Sequence, residues 1–169
     1  MMCFVRSKYH QVAALALIVA VVPWSHALCG ERVDERIARG KLGIGFNYPG
    51  VGLRYFLLDR YALEARGQFA DAVLVTGLRA SRYFSPLTQV LPYVGVGVDY
   101  VGFTSDYTKG IGYVAEAFVG GEYFVWPKHV SVQFDFGPAW LGLKDRNYGL
   151  KVSGIEFIVN FGITYYFSG

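Results

Sequence analysis

The sequence predicts an all-β fold, an eight-stranded antiparallel up-and-down transmembrane β-barrel. The 169-residue chain is 53% hydrophobic and 17% aromatic but only 17% charged, whereas an average soluble domain carries about a quarter charged residues. No apolar run reaches the roughly 18 residues that a membrane-spanning helix needs. From Lys41 onward, apolar and polar residues alternate in segments of about ten residues, which is the signature of transmembrane strands.

Residues 1–27 have the layout of a cleavable signal peptide. Arg6 and Lys8 form a basic start, residues 12–22 are uninterruptedly apolar, and small residues precede a cleavage point that we place after Ala27. An uncleaved membrane anchor is the alternative, but the apolar stretch is short for spanning a bilayer. The sequence therefore predicts an exported chain.

Removal of the signal peptide leaves 14 of the 16 basic residues against 13 acidic ones, a net charge near +1. No basic stripe remains for a nucleic acid, so we expect no nucleic-acid partner. Residues 28–40 are too polar for lipid and are predicted to be a periplasmic N-terminal lead-in. Residues 41–169 are then the barrel.

The alternation and the Pro, Gly, Asp and Asn clusters between segments divide the barrel into eight predicted strands. The last strand is the clearest, because Ile155, Phe157 and Phe161 share one face while Glu156 and Asn160 lie on the other. The predicted strands lie near residues 41–48, 50–58, 61–70, 73–84, 92–103, 110–125, 130–141 and 152–167.

One face of these strands is apolar and aromatic, and the other gathers charges and glycines. A soluble lipocalin-type barrel or sandwich would bury the apolar face, but an eight-stranded barrel has an interior with room for only a modest filling. We therefore predict the apolar face outward in lipid and the charges inward as a lumenal network. The predicted network consists of Lys41, Arg54, Glu64, Arg66, Arg79, Asp99, Glu116, Glu122, Asp135 and Glu156.

Aromatic residues concentrate near both ends of the predicted strands, as in the girdles that mark the two lipid interfaces. Arg82 falls on the apolar face at a strand end, where a cation can sit beside headgroups. One predicted girdle contains Tyr55, Tyr61, Tyr83, Phe84, Tyr93, Tyr123, Trp126, Tyr165 and Phe167. The other contains Tyr48, Phe69, Phe103, Tyr113 and Trp140.

The predicted connections are short on both sides of the barrel. With periplasmic termini, the outer loops are residues 47–50, 69–72, 104–109 and 142–151, and the inner turns are residues 58–60, 85–91 and 126–129. Barrels of this kind usually have longer outer loops. Because adhesins and receptors bind through long outer loops, the short loops predicted here argue against these functions.

The end of the chain resembles the assembly β-signal of outer-membrane barrels, with Asn160, Gly162, Tyr165 and Phe167 at its defining positions. The resemblance implies recognition by the barrel-assembly machinery, although two residues follow the last aromatic, where bacterial members usually end. Residues 41–167 are similar overall to small eight-stranded bacterial outer-membrane proteins of the opacity-protein and OmpA-transmembrane type. That similarity implies a monomer among outer-membrane lipids of a Gram-negative-type bacterium.

For the function, we expect an integral outer-membrane protein with a structural or envelope role, its inward charges forming a polar core. A narrow pore is the alternative, since rings of charge set selectivity in channels. An outer-membrane lipid-modifying enzyme is the third possibility. His129 and Ser131 resemble the His-x-Ser pair of the lipid A deacylase family, but we place both at the periplasmic end and facing inward, without a matching downstream Glu.

We accordingly predict no catalytic activity and no cofactor. The alternating glycines at residues 43–45 and 95–97 lie within strands and lack the following helix that a nucleotide-binding loop requires. No closely spaced His or Cys group suggests a metal site.

Overall fold

The computed structural model describes residues 34–47, 50–70, 72–87, 89–104, 109–126, 129–145 and 151–167. It contains eight strands: β1 (Leu42–Asn47), β2 (Gly50–Leu58), β3 (Tyr61–Ala70), β4 (Val73–Tyr83), β5 (Val90–Thr104), β6 (Lys109–Trp126), β7 (Val130–Asp145) and β8 (Lys151–Tyr166). Each strand pairs antiparallel with the next, and β8 pairs with β1 to close a barrel. The predicted fold is confirmed; the predicted signal peptide lies outside the described residues.

The strand registers fix how the barrel closes. Starting at Gly43 of β1 and stepping to the paired residue of each following strand leads to Glu156 of β8. Gly43 itself pairs with Tyr166, ten residues further along β8. A stagger of this size in eight strands requires a tilt of roughly 35–45°, and the resulting lumen is narrow enough for side chains to fill.

The two faces of the wall differ as the alternation predicts. Outward side chains are apolar and exposed, with Val98 61% and Phe157 66% accessible. Inward carboxylates are sealed off, with Glu122 and Asp135 both 0% accessible. The wall thus has an apolar exterior around a charged interior.

Three aromatic residues predicted for the girdles face the lumen instead. Tyr83 and Tyr93 are 1% and 2% exposed. Phe103 lines a cavity inside the barrel, near the last residue of β5. The physical reason is strand periodicity, because Tyr93 and Phe103 share a face with the inward Asp99 of β5. Tyr48 lies outside the described residues. The other predicted girdle residues are exposed: Tyr55, Tyr61, Phe69, Phe84, Tyr113, Tyr123, Trp126, Trp140, Tyr165 and Phe167.

Arg82 lies among aromatic rings at the barrel end where β4 finishes. Its guanidinium is 5.8 Å from the ring centroid of Tyr61 and 5.4 Å from that of Phe84. Such a cation over aromatic faces is suited to an interfacial position.

The lead-in closes one end of the lumen. A short 3₁₀ helix, Glu35–Ile37, places Ile37 at 1% exposure, and the backbone N–H of Arg60 donates to the Ile37 carbonyl at 3.0 Å. Ile37 packs in a cluster with inward side chains of the barrel: Phe56, Ala62, Tyr83, Leu91, Tyr93, Phe118, Phe124 and Tyr166. The sequence pattern does not predict this apolar plug, because residues 28–40 are mostly polar.

Asp34 caps this helix. Its carboxylate accepts from the backbone N–H of Arg36 at 2.9 Å and pairs with the Arg36 guanidinium at 2.6 Å. The side-chain hydrogen bond from Arg36 holds the pKa of Asp34 below its usual value, against the opposing effect of partial burial.

The wall is of uneven height. β1 has 6 residues and β2 has 9, whereas β6 has 18 and β8 has 16. The last residue of β1, Asn47, pairs with Gly162, and β8 continues for eleven residues to Lys151 beyond this pair. The wall is therefore low at β1 and β2 and high from β5 to β8.

We expect Ile37→Ala to lower the free energy of unfolding by about 2–5 kcal/mol, because it leaves a cavity in a sealed apolar cluster. Urea unfolding of the protein folded in lipid vesicles measures the change. Arg39→Ala is the matched control, since the Arg39 side chain is exposed two residues away. Equal stability of the Ile37 variant and the control would show that the lead-in is not part of the folded core.

Candidate functional site

The lumen holds a network of eight charged side chains, which is the candidate site. Each is no more than 9% exposed, so each charge depends on partners inside the barrel. When all are ionised, carboxylates outnumber guanidinium groups by two. The network contains Arg54, Arg66 and Arg79 together with Glu64, Asp99, Glu116, Glu122 and Asp135.

Arg54 joins five strands through a single guanidinium group. Its Nε donates to Glu64 Oε2 at 2.9 Å, and its Nη2 contacts the same oxygen. Its Nη1 lies 2.9 Å from the Tyr83 hydroxyl, 3.2 Å from the Tyr166 hydroxyl and 3.2 Å from Glu122 Oε2. Removal of this one side chain would leave two carboxylates without their cation.

Glu122 is the most fully bonded carboxylate. The hydroxyls of Tyr83 and Tyr166 donate to it at 2.6 and 2.7 Å, and Ser131 Oγ donates to its Oε1. Hydrogen bonds to a charged carboxylate are among the strongest in proteins. They allow this charge to remain inside the barrel without contact with water.

Amide side chains extend the network towards β1. Asn47 Nδ2 donates to Glu64 Oε1 at 2.6 Å, and Gln133 Nε2 donates to Asn47 Oδ1 at 2.7 Å. Gly162 makes room for them, because a Cβ at this position would lie 1.9 Å from Asn47 Oδ1. The small residue at this position is thus required by the network.

Arg66 and Arg79 organise the second half of the network. Arg66 Nε donates to Asp99 Oδ1 at 2.8 Å, its Nη2 contacts Asp99 Oδ2, and the same Nη2 lies 3.0 Å from Glu116 Oε1. Arg79 bridges Glu116 Oε1 at 2.9 Å and Asp135 Oδ1 at 2.7 Å. The chain Asp99–Arg66–Glu116–Arg79–Asp135 alternates in sign, which balances neighbouring charges.

Polar and aromatic groups complete this half. Tyr93 donates its hydroxyl to Asp135 Oδ2 at 2.8 Å, and Asn160 donates to Asp135 Oδ1 at 2.9 Å. The Arg79 guanidinium lies 3.7 Å from the ring centroid of Phe118. Because a Cβ on Gly77 would lie 1.8 Å from Asp99 Oδ1, glycine provides space here too.

Two of the ten predicted residues lie outside this network. Lys41 precedes β1, with its ammonium 5.0 Å from the ring centroid of Tyr166 and 5.5 Å from that of Phe124, so it covers the plugged end. Glu156 is exposed and makes no ion pair with any described residue. The prediction for Glu156 is corrected because β8 extends past the end of β1, so its inner face is not enclosed there.

Several polar side chains that bond to the network were not predicted to take part in it. They are Tyr83, Tyr93, Tyr166, Asn47, Gln133, Ser131 and Asn160. The strand alternation indicates that the tyrosines face inward, since Tyr83 shares a face with Arg79 and Tyr93 shares one with Asp99. A tyrosine on the charged face of a strand should therefore be interpreted as a donor to that charge.

The predicted β-signal residues lie on both faces of β8 and its end. Asn160 and Gly162 face the lumen and belong to the network region. Tyr165 and Phe167 are 48% and 41% exposed, with their rings 5.4 Å apart in an edge-to-face arrangement.

His129 and Ser131 do not form a catalytic pair in this structure. Ser131 is 0% exposed and donates to Glu122. His129 Nδ1 lies 3.4 Å from the Tyr166 carbonyl, and its ring packs near Trp126 and Tyr165. The described residues contain no group of three or more His, Cys, Asp or Glu placed to hold a metal ion. The described residues form no helix that is long and apolar enough to cross a membrane.

No protein-family model and no curated protein sequence matches the chain. Among solved structures, it is similar to the N-terminal β-barrel domain of Pseudomonas aeruginosa OprF, with 20% sequence identity and a TM-score of 0.50. The match covers 75% of this chain and 94% of that one. The resemblance to small eight-stranded barrels of this type is thereby confirmed at the level of the fold.

We expect Arg54→Ala to lower the free energy of unfolding by about 3–5 kcal/mol, because it leaves Glu64 and Glu122 buried beside an empty cation position. Arg82→Ala, which removes an arginine from the outer surface, should cost less than about 1 kcal/mol. Urea unfolding in vesicles compares the two. A cost for Arg54→Ala no larger than the control would mean that the network does not hold the barrel together.

Proposed function

We propose that the chain is an integral outer-membrane β-barrel protein with a structural or envelope role, its lumen closed by the charged network. One observation carries the proposal: the outward side chains of the strands are mostly apolar, whereas the buried charges all face inward. In water, burial of apolar surface is the main favourable term in folding. A surface on which Leu78 is 58% and Phe161 52% exposed is therefore suited to hydrocarbon.

The aromatic residues support a membrane of outer-membrane thickness. Tyr113 and Tyr123 both face outward on β6 and are separated by ten residues. At the strand tilt of this barrel, that separation spans about 25 Å along the axis, the height of the apolar band in such barrels. Beyond the upper girdle, the exposed Lys109, Lys144 and Lys151 lie at or next to the strand ends, at a height suited to acidic headgroups.

The route to the membrane is part of the proposal. Export by a signal peptide over residues 1–27 and recognition by the barrel-assembly machinery would bring the chain to the outer membrane as a monomer among lipids. The exposed Tyr165 and Phe167 at the end of β8 support such recognition, because their rings are accessible on the outer surface.

The closed lumen favours a structural role over a pore. The network crosses from β2 to β7, and Ile37 and its aromatic neighbours block the lumen at the periplasmic end. A narrow pore remains the second candidate because the carboxylates outnumber the arginines. If the network opened, this excess would favour cations.

We expect the protein to fractionate with the outer membrane and to migrate faster on a gel when left unheated in detergent than after boiling. A closed barrel stays folded in mild detergent, which makes its mobility heat-dependent. Cell fractionation with parallel heated and unheated samples measures this. Recovery as a soluble periplasmic protein would contradict the proposal.

The purified protein should show no conductance above background in planar bilayers, because guanidinium groups and aromatic rings fill the lumen. Single-channel recording is the measurement. The variant Arg66→Ala removes a cation shared by Asp99 and Glu116. Openings in this variant alone would identify the network as the seal of the lumen. Steady openings of defined size from the unaltered protein would favour the pore.

A further inference from the structure

Three exposed lysines lie together on the outer face of β6, β7 and β8, at the end of the barrel away from the lead-in. Lys144 of β7 pairs directly with Lys151 of β8. Lys109 lies two residues from Ile111, the residue of β6 that pairs with Lys144. Directly paired Cα atoms are about 4.5–5.5 Å apart and diagonal neighbours about 7–8 Å. The three ammonium groups of this lysine patch can therefore reach one ligand.

The pairing of Lys144 with Lys151 is unfavourable for the barrel alone. Like charges directly opposite each other on neighbouring strands are destabilising. Among the side chains that the structure describes, no carboxylate forms an ion pair with any lysine of the patch. An anion bound between the two ammonium groups would remove the repulsion, so the lysine patch is suited to a negatively charged ligand.

Aromatic rings border the lysine patch on the side nearer the lead-in. The next outward pair along β7 and β8 is Gly142 and Ser153, and a Cβ on Gly142 would lie 2.8 Å from Cη2 of Trp140. The Trp140 indole therefore lies over Gly142 and extends towards the lysines. On the other side, Gly142 pairs with Tyr113, which is 57% exposed. Two rings and the hydroxyl of the exposed Ser153 thus adjoin the cations.

Apolar side chains continue from these rings along the same face of β7 and β8. Ile155 and Phe157 are 65% and 66% exposed, and the ring centroid of Phe157 lies 5.8 Å from that of Phe136. The outer face therefore presents cations, then aromatic rings, then purely apolar groups along the strands. A membrane lipid presents its phosphates, its polar linkages and its acyl chains in the same order.

We propose that the lysine patch binds a lipid headgroup that carries two phosphates, with the acyl chains of the same lipid against the apolar face of β7 and β8. This inference rests on the proposed membrane location. A phosphodiester carries one negative charge, which would offset only one of the three ammonium groups, whereas two phosphates offset most of the patch. Lysine binds phosphate as a point charge on a flexible chain, so each ammonium group can reach a phosphate oxygen.

Native mass spectrometry of the purified protein released from detergent micelles tests the proposal, because it resolves a single bound lipid. The probes are lipid A with two phosphates, the same lipid with one phosphate, and phosphatidylglycerol, all without divalent cations. We expect the form with two phosphates to bind about tenfold more tightly than either other lipid, since it adds charge-assisted hydrogen bonds. Equal affinity for the three lipids, or binding of none, would overturn the inference.

Substitutions in the lysine patch locate the binding site. Lys144→Gln and Lys151→Gln should each weaken binding of the lipid with two phosphates about tenfold. Arg39→Gln, which removes an exposed cation at the opposite end of the barrel, should not change it. Lys151→Glu should abolish the preference for two phosphates and also raise the urea midpoint of the lipid-free protein, because an ion pair with Lys144 replaces the repulsion. Lost binding in a variant at least as stable as the parent cannot result from unfolding.

The outcomes separate this inference from the proposed function. Unchanged lipid binding in Lys144→Gln and Lys151→Gln, with the protein still recovered in the outer-membrane fraction, would overturn the inference and leave the proposed function intact. Recovery of the unaltered protein as a soluble periplasmic protein would contradict the proposed function itself.

Discussion

The proposed membrane location places one requirement on the whole barrel, which is that polar groups at membrane depth find their partners inside the protein. A closed strand wall satisfies the backbone groups. The stagger of ten residues then sets a lumen so narrow that inward side chains from distant strands touch. Arg54 shows the consequence, since it contacts Glu64, Glu122 and two tyrosine hydroxyls. In the proposed membrane location, lipid keeps the charges inside, and the small lumen brings them within bonding distance of their partners.

The inner face divides into three levels with different chemistry. Ile37 and aromatic side chains plug the end next to the lead-in, the charged network fills the middle, and apolar side chains line the cavity at the other end. The uneven wall gives these levels different surroundings, because the lower two are enclosed by all eight strands while the upper one faces the short β1–β2 side. Glu156 marks this change, as it lies on the inner face of β8 but is exposed. A closed base and an open upper part are thus built from one continuous sheet.

Strand periodicity made most of the fold predictable. The positions of all eight strands follow from alternation together with the turn residues between segments. The inward direction of Glu122 and Asp135 follows from alternation. Residue type and position disagree for Tyr83 and Tyr93, because their aromatic character suggests lipid whereas their strand positions indicate the lumen, where they lie. Other features depend on strand lengths and registers that no local pattern contains. The plug by Ile37, the partners of each arginine and the position of Glu156 beyond the end of β1 are of this kind.

Collision measurements on spin-labelled cysteines test most directly which face of the wall meets hydrocarbon. Cys29→Ser removes the thiol that lies after the predicted cleavage point, and single cysteines then replace Val96, Phe134, Phe157 and Phe161 in turn. In reconstituted vesicles, we expect each label to collide often with oxygen, which concentrates in lipid, and rarely with a water-soluble nickel complex. Labels that collide with neither reagent would show these side chains converging on a shared interior. Frequent collision with nickel would place them in water, and either result would contradict the membrane-spanning barrel.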